Sequence, residues 1–84
     1  MENLYLELNK EEAKDSQTTY SYLVRVDGSN DKIAGHVEIS VSYSNGRITD
    51  TKILQCFNFG KIFKKTIIKA LALKEQFKLI KKGI

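Results

Sequence analysis

Leu4, Leu6 and Leu8 alternate with Tyr5 and Glu7 over residues 3 to 8, the period-two pattern of a strand with one buried face. The polar run from Lys10 to Ser16 has no such pattern and reads as a loop. Alternation returns over residues 18 to 27, where Tyr20, Tyr22, Val24 and Val26 share one face and Ser21, Leu23 and Arg25 the other. Asp27-Gly28-Ser29-Asn30-Asp31 then ends it with turn-forming residues. The clearest strand spans 33 to 43: Ile33, Gly35, Val37, Ile39, Val41 and Tyr43 alternate with Ala34, His36, Glu38, Ser40 and Ser42.

Asn45-Gly46 follows at once. A two-residue type I′ loop needs positive φ at both positions, which Asn-Gly supplies, so the pair predicts a hairpin with Tyr43 opposite Ile48. The returning strand, about 47 to 57, does not hold that phase. With Ile48 inward, strict alternation would bury Asp50 and Lys52 beneath Val41 and Ile39; a bulge near Thr49 to Thr51 would restore the register and turn Ile53, Gln55 and Phe57 inward.

From Gly60 to Lys82 the period becomes helical. Phe63, Thr66, Ala70, Leu73, Phe77 and Ile80 recur at spacings of three and four, widened by Ile62, Ile67 and Leu71, and this stripe is expected to anchor the helix to the sheet. Ile68, Ala72 and Leu79 form a smaller strip away from it, placed either under the N-terminal segment or against a second chain. Lys78, Lys81 and Lys82 favour the negative end of the helix dipole, and Gly83 is positioned to end the helix. The expected fold is α+β, a single domain over 1–84: an antiparallel sheet of three or four strands with one long C-terminal helix on one face, in β-β-β-β-α order.

Charge changes this picture more than composition does. Residues 1 to 50 hold nine of the ten carboxylates and a net −4, whereas residues 51 to 84 hold nine Lys against Glu75 alone, a net +8. The single Cys56 leaves no internal disulfide, no run reaches the roughly 20 apolar residues of a membrane span, and Met1-Glu2-Asn3 lacks a signal-like start. An intracellular, cytoplasmic protein is the expectation.

Candidate chemistry is sparse. One His and one Cys fall short of any zinc set, so no metal or other cofactor is expected. A single bulge in the fourth strand would set His36 opposite Cys56, the start of a thiolate nucleophile, but no orienting third residue is evident and a packed cysteine is the plainer reading. Asp27 to Asp31 begins like a calcium loop but has Lys32 where the loop needs Gly, and turn chemistry accounts for it. No enzymatic activity and no small-molecule substrate are expected.

The lysines carry the functional content. Lys65 and Lys69 flank Gln76 on one side of the helix, and Lys64, Lys78 and Lys82 lie with Glu75 on the other. Such residues can simply solvate a helix, yet one carboxylate in 34 residues is few for a face that is merely soluble. Two functions follow. In one, a small adaptor, inhibitor or oligomerising subunit engages an acidic protein surface, or a second copy, through Lys61, Lys64, Lys65, Lys69, Lys78, Lys82, Ile68, Leu79 and Arg47, or through a sheet edge. In the other, the same helix neutralises nucleic-acid phosphates with little sequence specificity, since Arg25 and Arg47 are the only arginines. The run from Val37 through Lys78 resembles phage-integrase arm-binding domains in element order. Membership would imply a sheet facing DNA, whereas Glu38 is on that outward side and the excess charge is on the helix.

Overall fold

The computed structural model describes residues 4–28, 32–58 and 65–82. Four strands, β1 (Leu4–Lys14), β2 (Gln17–Val26), β3 (Ile33–Ser44) and β4 (Arg47–Asn58), are followed by one helix, α1 (Lys65–Lys82). The strands form an antiparallel meander in the order β1-β2-β3-β4, so the expected α+β architecture and element order are those the chain adopts. Of the expected main stripe, Ile62 and Phe63 lie outside the described residues.

The first hairpin is longer than its pattern suggests. Lys10 to Lys14 belong to β1 and pair with Ser21 to Gln17, where a loop was expected. Both faces of this stretch are exposed, so no apolar alternation marks it, and ladder hydrogen bonds to β2 hold it instead. The chain turns at Asp15, which takes φ 54°, a conformation Asp tolerates. The next carbonyl, of Ser16, accepts from the Tyr43 N–H at 2.7 Å.

Asn45 and Gly46 have φ 54° and 78°, and Tyr43 lies opposite Ile48 as the hairpin signal predicts. Two slips then set the facing of β4. At Thr49 the register shifts so that Asp50 and Lys52 lie opposite Ser42 and Ser40 on the open side, with Thr51 and Ile53 turned toward the helix beside Val41 and Ile39. A second slip at Leu54 turns Cys56 to the helix side opposite Val37 and sends Gln55 and Phe57 outward. The inward placement expected for Ile53 is met; that for Gln55 and Phe57 is reversed, because one bulge was expected and two occur. Ala34 is likewise extra in β3, which places Ile33 opposite Arg25 and partly exposed.

Tyr22, Val24, Val26, Val37, Ile39 and Val41 form the sheet side of the core. The helix meets them through Ile68, Ala72 and Leu79, which are 0%, 0% and 9% exposed. This reverses most of the expected facing: the smaller strip anchors α1, and of the larger stripe Leu71 packs partly against the core while Ile67, Leu73 and Phe77 are 45%, 44% and 65% exposed. Polar neighbours of the smaller strip help fix this choice. The Gln76 amide donates to the Thr51 carbonyl at 3.0 Å and to its hydroxyl at 2.7 Å, and Glu75 lies beside Tyr22. Gly35 leaves no room for a side chain, since a Cβ there would strike the Phe57 carbonyl oxygen and lie 2.9 Å from Ile68 Cδ1.

Candidate functional site

A helix about 10 Å across covers roughly two strands spaced about 4.8 Å apart. In this sheet α1 lies nearest β4 and β3. The helix-facing side of β1 and β2 is therefore left partly open, and a groove runs between those strands and the helix. One stretch of about 410 Å³ is lined by Leu6, Leu8, Tyr20, Tyr22 and Leu79, with Glu11, Glu75 and Lys82 at its rim. A neighbouring stretch of about 250 Å³ continues past Leu4 and Leu71 between Lys74 and Lys78. Tyr20 and Tyr22 stack in the floor with ring centroids 6.4 Å apart. Burial pushes the Tyr20 hydroxyl up to about 12, helped by Tyr43 beside it. Burial also raises Tyr22, with the Glu75 carboxylate adding to the shift. Both phenols thus remain neutral at any ordinary pH.

Opposite the core, the outer side of α1 carries Ile67, Leu73 and Phe77 with the exposed Ala70 between them. Around it stand the exposed Lys69, Lys74, Lys78 and Lys81. Strand carboxylates pair mostly within the sheet: Glu12 with Lys10 at 2.7 Å, Glu7 with Arg25, and Asp50 with Lys52 at 3.9 Å. On the helix, Lys78 reaches Glu75 at 4.0 Å. Among the described residues, Lys69, Lys74, Lys81 and Lys82 have no carboxylate within 4.0 Å.

The sequence-derived contact residues divide accordingly. Lys69, Lys78 and Lys82 are exposed on α1, and Arg47 is exposed at the β3–β4 turn, distant from α1 in sequence. Lys61 and Lys64 lie outside the described residues, and Lys65 is the first residue of α1. Ile68 and Leu79 are buried against the chain's own sheet, so neither can form an exposed contact strip in this fold. The residues that take that place are Phe77, Leu73 and Ile67, previously assigned to the core, together with Lys74 and Lys81. The adjacent polar pair Glu75-Gln76, one on each flank of the Ile68/Ala72/Leu79 strip, was the signal for the true inward side, because the sheet offers each a polar partner, Tyr22 for Glu75 and Thr51 for Gln76.

The His36–Cys56 arrangement is absent from the fold. His36 pairs with Phe57 and stacks on its ring at 6.5 Å on the open side of the sheet, while Cys56 faces the helix opposite Val37. The second bulge of β4 separates them. On the open side, the row Glu7, Leu23, His36 and Phe57 gives way along the strands to Lys10, Ser21, Glu38 and Gln55, a face of mixed charge.

The chain matches no family model, no curated protein and no solved structure. Among the described residues, no helix is long and apolar enough to cross a membrane.

Proposed function

We propose that this chain is a small non-enzymatic binding module, an adaptor or inhibitor, whose contact surface is the outer side of α1. Phe77, Leu73 and Ile67 would enter an apolar patch on a partner protein, and Lys69, Lys74, Lys78 and Lys81 would meet carboxylates around that patch. The carrying observation is the two-sided helix: with Ile68, Ala72 and Leu79 already in the core, Phe77 and Leu73 still point to solvent inside a ring of lysines. A soluble helix rarely leaves two large apolar groups one turn apart without use. An aromatic anchor ringed by charge is the usual make-up of a protein contact.

The unneutralised lysines also support a second reading, the binding of nucleic-acid phosphates, for which affinity would fall steeply with salt. The apolar centre of the patch weighs against it, since phosphates have no use for Phe77. Affinity capture from the native cell with tagged wild-type and Phe77→Lys chains, with and without nuclease, distinguishes the two. The protein reading expects a nuclease-resistant acidic partner that the Phe77→Lys chain loses. Capture that survives Phe77→Lys, disappears with nuclease and weakens in Lys69→Glu/Lys81→Glu would refute it in favour of nucleic acid.

A further inference from the structure

Two features of this fold are incomplete, and each has the form the other lacks. The slot over β1 and β2 is about one helix wide and floored by Leu6, Leu8, Tyr20 and Tyr22. The outer side of α1 is an apolar helix face with nothing upon it among the described residues. A helix with apolar groups on opposite sides is the pattern of one buried on both.

We propose that the partner on the outer side of α1 is a second copy of this chain, arranged so that each helix lies in the other copy's slot over β1 and β2. This rests on the reading of α1 as the contact surface and names its occupant. A two-fold axis between the helices satisfies both requirements at once, because an isologous contact uses the same patch twice. The product is a three-layer sandwich, sheet, two helices side by side, sheet, in which a two-fold axis running along the helices keeps them parallel. Each helix keeps Ile68, Ala72 and Leu79 on its own sheet and turns Phe77, Leu73 and Ala70 onto the partner's.

Area and charge both fit. At about 1.5 Å per residue the 18 residues of α1 extend about 27 Å. A helix face and a slot of that length, each about 10 Å wide, give a footprint on the order of 500 Å² per chain, near the lower end of specific interfaces. The chain also supplies its own counter-charge: the half that contains β1 and β2 has net −4 and the half that contains α1 has net +8. In the paired arrangement Glu11 at the slot rim faces the arriving lysines. Where the two helices run side by side, Glu75 of each comes next to Lys74 or Lys78 of the other. A foreign partner would have to provide both a helix and a slot to cover the same surface.

Sedimentation velocity over a concentration series tests the assembly, and photo-cross-linking tests its geometry. The wild-type chain should sediment as a dimer. Phe77→Lys on the helix and Leu8→Lys in the slot should each shift it to monomer, with the far-ultraviolet circular dichroism of a folded chain. Benzoylphenylalanine in place of Phe77, in a mixture of isotope-labelled and unlabelled chains, should cross-link to peptides containing residues 4–8 or 20–22 of a different chain. A wild-type monomer at about 100 µM lies outside the affinities of specific interfaces and overturns the proposal. So does a dimer broken by Phe77→Lys but not by Leu8→Lys, or a cross-link from position 77 to another helix instead of to β1 or β2. A monomer that still captures an acidic protein through Phe77 would leave the binding-module reading standing and remove only the second copy. A dimer with no other partner would do the reverse.

Discussion

Truncating Ile68 to Ala tests which side of α1 holds the molecule together. The side chain is wholly buried, and the substitution deletes three carbon groups at about 0.8 kcal/mol each, to which an unfilled cavity adds about half as much again, for about 3 to 4 kcal/mol. A domain of this size has a net stability of about 5 kcal/mol or less. With a urea dependence of about 1 kcal/mol/M, the unfolding midpoint should fall by about 3 M, leaving a chain only marginally folded at 25 °C. Phe77→Ala, measured at a concentration where the chain sediments as a monomer, should move the midpoint by less than about 0.5 M, since the ring is largely solvated and Ala is the better helix former. Urea titrations followed by circular dichroism give both numbers. If Phe77→Ala were the costlier of the two in the monomer, the larger stripe would be the one on the sheet, and the assignment of inner and outer sides would be wrong.

Gly35→Ala should lower stability by about 2 kcal/mol or more although its φ is ordinary, because the new methyl meets a main-chain carbonyl that cannot rotate away; thermal unfolding measures it. Gln76→Ala should cost about 1 to 2 kcal/mol through loss of the bonds to Thr51, and Thr51→Val should add less than its own separate cost in the double variant. Tyr20 and Tyr22 both ionise above the ordinary phenol value of about 10 in the fold. The folded state therefore binds protons more tightly than the unfolded one, so their contribution is complete below about pH 10 and is lost as pH rises toward 12. The urea midpoint should decline across that window, tyrosinate absorbance should lag in folded protein, and Glu75→Gln should bring the Tyr22 transition to lower pH. A midpoint that rises between about pH 10 and 11 would contradict the burial of both hydroxyls.

Much of the sheet was legible because its information is local. Alternation over Tyr20 to Val26 and over Val37 to Tyr43, and the φ demands of Asn45-Gly46, each depend on a few adjacent residues and required nothing from the rest of the chain. What failed depended on counting between elements. The extent of β1 was hidden because Lys10 to Lys14 are exposed on both faces, so no apolar alternation marks their pairing with β2. In β4 the charged Asp50 and Lys52 announced one bulge, but nothing in Ile53-Leu54-Gln55 announces another, since Leu54 and Gln55 are both acceptable at an exposed position. That unmarked residue decides whether His36 faces a thiol or an aromatic ring, so the only catalytic candidate rested on a register that the residues did not specify.

The facing of α1 failed for a different reason, and the failure has functional content. Hydrophobic periodicity identifies an inner side when the other side is polar. In α1 the two sides are both apolar, and the larger one loses because Ala72 lets the helix settle against the sheet while Gln76 and Glu75 reach Thr51 and Tyr22. Selecting the inner side by the number of apolar residues therefore chooses the wrong one. A lone domain that needed only to cover its sheet would be more stable and more soluble with Lys or Glu at 73 and 77, each free to pair with neighbours one turn away. Retaining Leu and Phe there, beside lysines that no strand carboxylate among the described residues neutralises, is intelligible if a second surface completes the outer side. The ambiguity that obscured the fold in the sequence is thus the same property that makes α1 a contact element.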